Sequence, residues 1–375
     1  MDTCIATDAS PNFLGLTAEK LGVLLNTHGQ KPYHANQILK WIHQRGVIDF
    51  LSMTDLSKDA RAFLSKVYTI QPPKIKKTLY SEDGTIKWLV LLDDDATVEM
   101  VYIPEASRGT LCVSSQVGCS VDCSFCATGK QGYSRNLRVD EVVGQVWLAK
   151  HVLGEFTKKQ RVISNVVFMG MGEPLLNFDN VVDAIKILMD DHAYGLSKRK
   201  VTVSTSGLVP QIRELASQVD PSLAISLHAP NDVLRDKLVP LNKKYPIAML
   251  LDSVMFYLAS MPDVHRKVTI EYTLIDGVND SISHANELGN LLASVPCKIN
   301  LIPFNPFPGV SFSRPKEKSI KAFQERLVRR GYVTTVRSTR GEDVSGACGQ
   351  LSGVFNDRTM RSRRYQLKQE SRKSG

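Results

Sequence analysis

The stretch Gly118-Cys119-Ser120-Val121-Asp122-Cys123-Ser124-Phe125-Cys126-Ala127-Thr128-Gly129 decides how the rest of the chain is read. Its cysteines stand at the spacing C-x3-C-x2-C. Cysteine thiolates hold iron–sulfur clusters, and a four-iron cluster ordinarily takes four of them. Three thiolates leave one iron open to another ligand. Positions i, i+4 and i+7 also share one helical face, so three buried structural cysteines are an alternative. Gly118 and Gly129 flank the run, and Ser120, Asp122 and Ser124 interrupt its apolarity, which favours a loop over a core helix. Zinc is the other alternative. Structural zinc sites usually show a second ligand pair at a recognisable distance, and none follows here.

The run resembles the signature of the radical S-adenosylmethionine (SAM) superfamily. That resemblance implies a [4Fe–4S] cluster on Cys119, Cys123 and Cys126. SAM would chelate the open iron through its amino and carboxylate groups. One-electron reduction would cleave it to methionine and a 5′-deoxyadenosyl radical, with the protein supplying position and protection.

Outward from the cysteines, strand-like and helix-like runs alternate. The strand-like runs are 110–115, 164–169, 200–204, 223–227, 267–274, 298–303 and 332–337. The helix-like runs are 140–153, 178–189, 209–217, 247–259, 281–292 and 319–330. Strands separated by helices call for parallel βαβ units. Six units predict an α/β fold, a partial TIM-like (β/α)6 barrel with one further strand, and active residues at the C-terminal ends of the strands. The cysteine run follows the first of these strands. Before it, 76–80, 86–92 and 97–103 alternate with period two around turns at Asp83-Gly84 and Asp93-Asp94-Asp95, which predicts a short antiparallel extension. Glu99 sits among apolar neighbours there, and an outward-facing side chain is the common case. Further upstream, 14–28, 32–44 and 55–67 read as helices, with Thr17 as an N-cap and Gly29 as a C-terminal stop. Residues 1–11 are expected to be disordered. The residues past Asp357 read as a weakly structured basic tail. The expected divisions are a helical accessory domain at 1–73, a β linker at 74–105, the barrel at 106–345 and a C-terminal segment at 346–375.

The chain has 375 residues, 43% hydrophobic and 23% charged, which is ordinary for a soluble globular protein with a full core. No apolar run reaches the roughly 20 residues of a membrane span. The start, Met1–Ser10, has acidic but no basic residues and does not read as a secretory signal. Seven cysteines, four of them between Cys112 and Cys126, do not form a secreted disulfide framework. A reducing compartment, the cytoplasm, is the expectation. The formal charge of +9 suits a polyanionic partner. Basic clusters stand at Lys74-Ile75-Lys76-Lys77, Lys158-Lys159-Gln160-Arg161, Lys198-Arg199-Lys200 and in the tail. Each alone is usually a solvated surface; together they point to RNA. The joint 29–38 reads as helix–turn–helix-like and RNA-contacting, with a packing module as the alternative.

Polar groups gather at the strand ends expected to form the barrel rim. Phe168-Met169-Gly170-Met171-Gly172-Glu173-Pro174 follows the second barrel strand, Ser204 ends the third, Ser226-Leu227-His228 ends the fourth, and Asn305 follows the sixth. Singly, each is a cap or loop residue, and His228 is as readily a structural histidine. By resemblance to the Gly-Gly-Glu-type motif, Gly172 and Glu173 would meet the amino group of SAM. Ser204, Ser226, Leu227, His228, Asn305 and Met169 would line the same pocket. Two further cysteines stand apart: Cys112, seven residues before the run, and Cys348 in Gly346-Ala347-Cys348-Gly349. A lone cysteine is commonly an inert buried thiol, and Cys4 and Cys297 are read that way.

The chain as a whole, from about residue 30 to 360, resembles the RlmN family of bacterial adenine-C2 methyltransferases of 23S rRNA and tRNA. The matching pieces are Val98–Pro104, the cysteine run with Thr128–Gly132, Gly170–Asn177, Ser226–Ala229, Asn300–Pro306 and Ala347–Leu351. The resemblance implies two SAM molecules per turnover, because C2 of adenine is too poor a nucleophile to attack a sulfonium. One SAM methylates Cys348. The other yields the radical that takes a hydrogen from the S-methyl group, and the methylene radical then joins C2. Glu99 is implied as the proton acceptor, although Cys112 as thiolate is also able to serve, and Cys112 is implied as the thiol that resolves the adduct through a disulfide. Implied partners are 23S rRNA at the peptidyl transferase centre, the tRNA anticodon loop and a reductant such as flavodoxin. No membrane partner is expected, and the chain is read as a monomer. Met100 stands where threonine is expected and His34 where arginine is usual. The alternatives are a Cfr-like adenine-C8 methyltransferase and a radical SAM enzyme acting on a non-RNA substrate. The sequences at Glu173–Asn177 and Pro303–Gly309 lean to C2.

Overall fold

The computed structural model describes residues 11–158 and 161–373, with backbone alone for 368–373. Residues 1–10, including Cys4 and nearly all of the stretch expected to be disordered, lie outside the described residues, as do Lys159 and Gln160 of one basic cluster.

Among the described residues twelve strands are formed: β1 Lys74–Tyr80, β2 Ile86–Leu91, β3 Thr97–Glu105, β4 Arg108–Cys112, β5 Gln116–Gly118, β6 Tyr133–Asn136, β7 Asn165–Phe168, β8 Val201–Thr205, β9 Ser222–Ser226, β10 Val268–Leu274, β11 Cys297–Pro303 and β12 Thr334–Val336. Ten make one sheet in the order β1-β2-β3-β4-β7-β8-β9-β10-β11-β12, and β5 pairs separately with β6. From β4 to β12 every pairing is parallel; β1 to β4 run antiparallel. The order starts at β1 and ends at β12, so the barrel stays open, as expected of a partial (β/α)6 barrel with an antiparallel extension. Helices at Val139–Val152, Phe178–Met189, Val209–Gln218, Ile247–Ala259, Ile282–Leu291 and Glu317–Arg329 cover the parallel strands. Parallel strands are therefore buried on both faces. In β10 the inward and outward positions Val268, Ile270, Glu271, Tyr272, Thr273 and Leu274 are all buried. Lys74, Lys76 and Lys77 are exposed on the edge strand β1, where their charge discourages pairing with another sheet.

The N-terminal helices have their own apolar core of Phe13, Leu14, Leu21, Leu25, Ile38, Leu39, Ile42, Phe50 and Leu64, which meets the barrel at Trp147. The indole of Trp147 donates to the Ile42 carbonyl at 2.9 Å. Thr17 does cap a helix, accepting from the Lys20 N–H, and so separates Ala18–Thr27 from a short 3-10 turn at Phe13–Gly15. Gly29 follows with φ +67°, a left-handed conformation that glycine adopts without strain. Ser57 caps the third helix, which starts at Lys58 rather than Asp55. The second helix spans His34–Leu39 and continues as a π-helical turn at Lys40–Gln44.

Four features depart from the sequence expectation. Ala127–Gln131 and Asp232–Leu238 are additional short helices. Arg361–Lys373 is a helix, where weak structure was expected. Its charge-rich sequence has no apolar period, and short isolated helices are marginal in water. The carboxylate of Asp357 starts it, accepting from Ser362 N and Ser362 Oγ at 2.9 Å each. Glu99, for which an outward side chain is the common case, is buried instead.

Arg235 knits the rim of the sheet. It is fully buried in the helix Asp232–Leu238. Its guanidinium donates to the carbonyls of Leu227 at 3.0 Å, Ser206 at 2.7 Å and Ser226 at 3.1 Å, and to Asn242 Oδ1 at 2.8 Å. Burial lowers its pKa to about 10. Arg235→Met keeps the length of the side chain but leaves those carbonyls unpaired in a dry interior. A loss of about 3 kcal/mol is expected in urea unfolding of the cofactor-free chain. A loss under about 1 kcal/mol would show that Arg235 does not hold the rim.

Candidate active site

The three cysteines of the run lie in a loop between β5 and the short helix Ala127–Gln131. The neck of this loop is closed by Cys119 N–H donating to the Gly132 carbonyl at 2.7 Å. Val121 and Phe125 anchor it in an apolar cluster with Ala229, Leu238, Val239, Ile275 and Phe304, against which Cys119, Cys123 and Cys126 pack. Phe125 meets the His228 ring edge to face, with centroids 4.6 Å apart.

A cavity of about 930 Å³, its open mouth included, lies over these thiols at the C-terminal ends of the parallel strands. Of the residues singled out from sequence, it is lined by Cys119, Cys123, Cys126, Met169, Gly172, Glu173, Ser204, Ser226, His228, Asn305 and Cys348. Leu227, Glu99 and Cys112 are not on its wall. The Leu227 side chain is fully buried, and its backbone carries the contacts, to Glu271 O and from Arg235.

The Gly-rich turn after β7 has a specific steric reason. Gly172 has φ +100°, and a Cβ there would fall 2.5 Å from the Cβ of Gln116. Gln116 Oε1 in turn accepts from Glu173 N at 2.9 Å. The Glu173 carboxylate caps the 3-10 turn that follows and accepts from Leu175 N at 3.1 Å and Ser206 N at 2.7 Å. Burial raises its pKa, and the bonds from Ser206 oppose the shift. His228 holds φ +58°. Its Nδ1 accepts from the Thr273 N–H at 3.0 Å, so the ring proton belongs on Nε2. Burial, then Arg235, lowers its pKa to about 3, so the imidazole stays neutral. Ser204 and Ser226 face one another at 3.4 Å across neighbouring strands.

Cys348 is brought to the cavity by the segment after β12. Asn305 Nδ2 donates to its carbonyl at 3.2 Å, and Ala127 N–H donates to the Gly349 carbonyl at 2.7 Å. Cys112 and Cys348 are both free thiols. Burial pushes Cys112 up to about 12; the neighbouring Cys348 adds to the shift and Arg337 opposes it. Cys348 is likewise raised by burial and pulled down by Arg337. The Arg337 guanidinium is itself raised, first by Cys348, with Glu271 and Cys112 adding. Glu99 sits behind this segment. Its carboxylate pairs with Lys87 Nζ at 2.9 Å and accepts from Ser352 N at 2.9 Å.

Arg337 and Glu271 were missed in the sequence. Arg337 ends the last strand-like run and Glu271 interrupts an apolar strand, and both were visible signals of the rim.

The residues of the loop fit a cluster. Burial and the other thiols push Cys119 up to about 12 and Cys123 well above its ordinary value. Adjacent thiolates in an apolar setting need cationic ligands to persist. Among the described residues no group of three His, Cys, Asp or Glu converges as a single metal ion would need. Three thiol ligands on one loop leave a position open, as a cluster iron with a further ligand needs and a closed four-ligand structural zinc site does not.

Comparison with known proteins agrees with this geometry. Residues 11–70 match the family described as Ribosomal RNA large subunit methyltransferase N-terminal domain, and residues 113–288 match the Radical SAM superfamily. A protein of Saccharophagus degradans named Dual-specificity RNA methyltransferase RlmN is 55% identical over 363 residues, 96% of this chain and 91% of that one. One of the same name from Marinobacter nauticus is 56% identical over 354 residues, 94% and 96% of the two chains. The crystal structure of a radical SAM methyltransferase from Sphaerobacter thermophilus superposes with a TM-score of 0.83 at 43% identity, covering 91% of this chain and 98% of that one.

The Lys87–Glu99 pair has a pH signature. Burial raises the Glu99 pKa, and Ser352 N–H and Lys87 oppose that shift. Removing the cation in Lys87→Met raises it further and leaves a buried carboxylate uncompensated above that pKa. The variant is expected to lose about 3 kcal/mol near neutral pH. It should regain most of this as pH falls and Glu99 takes up a proton. Urea midpoints measured from pH 5 to 8 check this; a deficit independent of pH would contradict it.

Proposed function

The chain belongs to the RlmN family of the radical SAM superfamily, and from that membership we propose that it methylates carbon 2 of adenine in 23S rRNA and in tRNA. The observation that carries the reading is the placement of Cys348. A free thiol from the far end of the chain shares one cavity wall with the three cysteines of the cluster loop.

When bound, the [4Fe–4S] cluster and SAM supply a methyl donor in one role and a 5′-deoxyadenosyl radical in the other. Cys119, Cys123 and Cys126 would hold the cluster, and Gly172, Glu173, Ser204, Ser226, His228 and Asn305, which line the cavity, would surround SAM, with Met169 beside them. Leu227 contributes through its backbone. Neutral His228 offers an Nε2–H donor to a ribose or carboxylate oxygen. The remaining steps fall to the chain's own sulfur. Cys348, once it has lost its proton, would accept the methyl group on its sulfur while the donor leaves as a thioether with the bonding pair, with Arg337 stabilising the thiolate against the cost of burial. Once the methyl carbon is joined to C2, the adduct must give up the C2 proton and the odd electron left by radical addition; Glu99 would take the proton, with the Cys112 thiolate as the alternative base, and a one-electron acceptor of the iron–sulfur class would take the electron. Cys112 then attacks the sulfur of Cys348. The sulfur–carbon bond breaks, its electron pair stays with the carbon, which is protonated to methyl, and a Cys112–Cys348 disulfide forms. A thiol reductant must reopen that disulfide before the next turnover.

The RNA partner suits the exposed basic residues Lys31, Lys40, Arg45 and Lys58 on the N-terminal helical unit, which we assign to residues 1–73 as an RNA-contacting accessory domain. We place the enzyme in the cytoplasm as a monomer served by a flavodoxin-type electron donor. Among the described residues no helix is long and apolar enough to cross a membrane.

Anaerobically reconstituted protein, given SAM, a reductant and RNA, is expected to produce 2-methyladenosine on nucleoside mass spectrometry. Appearance of 8-methyladenosine instead would move the chain to the Cfr-like reading. SAM cleavage without any RNA product would remove RNA as substrate. Cys348→Ala should abolish methyl transfer, with no residual product. Cys112→Ala should cut turnover by at least about a hundredfold while protein–RNA adduct accumulates, visible as a slow band on denaturing gels.

A further inference from the structure

The C-terminal segment does more than deliver Cys348. After that residue it runs along the outer side of the cluster loop. Thr128 Oγ1 donates to the Leu351 carbonyl at 2.7 Å. The Gln131 side chain makes two bonds to the backbone of Gly353, at 3.2 and 3.0 Å. Arg358 N–H donates to the Tyr133 carbonyl at 3.0 Å, and Asp357 Oδ1 accepts from Tyr133 N at 3.2 Å. The segment also touches both glycines at the neck. A Cβ on Gly118 would lie 2.7 Å from the Phe355 ring, and one on Gly132 would collide with the Asp357 carboxylate at 2.0 Å. Neither neck position has room for another residue.

Arg361, the first residue of the C-terminal helix, completes the contact. Its Nη1 donates to the Cys119 carbonyl at 3.0 Å and to the Gly129 carbonyl at 3.3 Å, and its Nη2 to the Ser120 carbonyl at 2.7 Å. One planar, permanently charged group therefore spans the two sides of the loop. Bonds of this kind are charge-assisted and roughly twice as strong as neutral ones. Without them the Cys119 and Ser120 carbonyls, part of the backbone that aims Cys119, would depend on water, and the Gly129 carbonyl would keep only the long bond from Gly132 N–H at 3.4 Å.

We propose that Arg361 is a positioning residue for the iron–sulfur cluster: it clamps the loop Cys119–Gly132 in the shape that receives the cluster and places a fixed positive charge beside it. The inference rests on the reading that this loop holds a [4Fe–4S] cluster. The physical need is plain. Three sulfurs must be presented from one short loop packed on an apolar cluster, so the aim of the loop depends on what holds its backbone. The guanidinium holds the backbone closed from outside, where it cannot compete with iron for sulfur. Groups that orient metal ligands in this way typically contribute 10- to 100-fold in metal affinity.

The test compares wild type, Arg361→Ala and Arg361→Lys as full-length chains, reconstituted without oxygen. Three readouts are taken: iron loss to a chelator, the midpoint potential of the cluster followed by electron paramagnetic resonance, and hydrogen exchange of amides 119–132 before iron is added. Arg361→Ala is expected to lose iron on the order of tenfold faster. Its loop amides should exchange faster and its potential should move downward, because a nearby positive charge favours the reduced cluster. Arg361→Lys keeps the charge but cannot span three carbonyls, so its potential should stay near wild type while loop protection remains low. Wild-type iron loss, potential and exchange in the alanine variant would overturn the proposal. Failure of the wild-type chain to build a [4Fe–4S] cluster would remove the cluster reading and the clamp with it. Hydrogen exchange of the iron-free loop reads the clamp even in a variant that loads poorly, and urea unfolding shows whether that variant is folded.

Discussion

Thr128 and Leu351 are 223 positions apart in sequence, and the hydrogen bond between them stands for the constraint on which the site depends. The cluster loop leaves β5, just past the first parallel strand β4, and the chain must then build every other parallel strand of the barrel before it can return. When it returns, it lies directly on that loop, tied by Ala127 to Gly349, by Gln131 to Gly353 and by Arg361 to the neck. The carbonyl of Gly349 is bonded one residue after Cys348, so the Cys348 thiol is placed relative to the three-cysteine loop by the same contacts. Opening of the sheet between β1 and β12 leaves space for that returning segment.

The electrostatics of the site follow from putting sulfur in a dry cavity. Burial raises every thiol for which a shift is resolved, and the thiols raise one another. Three guanidinium groups answer this at different points. Arg337 faces the Cys112–Cys348 pair, Arg235 lies behind Cys123 while holding the rim carbonyls, and Arg361 sits outside the neck. None of the three arginines lines the cavity over the thiols. The Glu99–Lys87 pair is a fourth ionic element. Its bond to Ser352 N places it under the segment that carries Cys348.

Much of this was legible in one dimension. The C-x3-C-x2-C spacing is local chemistry, and the alternation of strand and helix runs is a periodicity that every window of sequence displays. Strand ends therefore located Gly172, Glu173, Ser204, Ser226, His228 and Asn305 near one rim, and the cavity contains all six. Glu99 was harder. An acid in an alternating strand faces water unless a partner is folded over it, and Lys87 and Ser352 reach it only through strand pairing and the returning tail. Arg235 and Arg361 carried no signal at all, because an arginine in a polar helix or a basic tail looks like every other solvated charge.

By itself, then, the sequence determined the barrel and the cysteine spacing of the candidate cluster loop, since spacing and period are properties of neighbouring residues, while the chemistry entered through resemblance to a family. The tertiary structure alone decided which arginines are buried, which side of the loop the tail covers, and that Leu227 serves through backbone rather than side chain. Those outcomes depend on contacts between residues hundreds of positions apart. Their energies come from desolvation and from directed bonds to backbone carbonyls, and neither is written in the identity of any one residue.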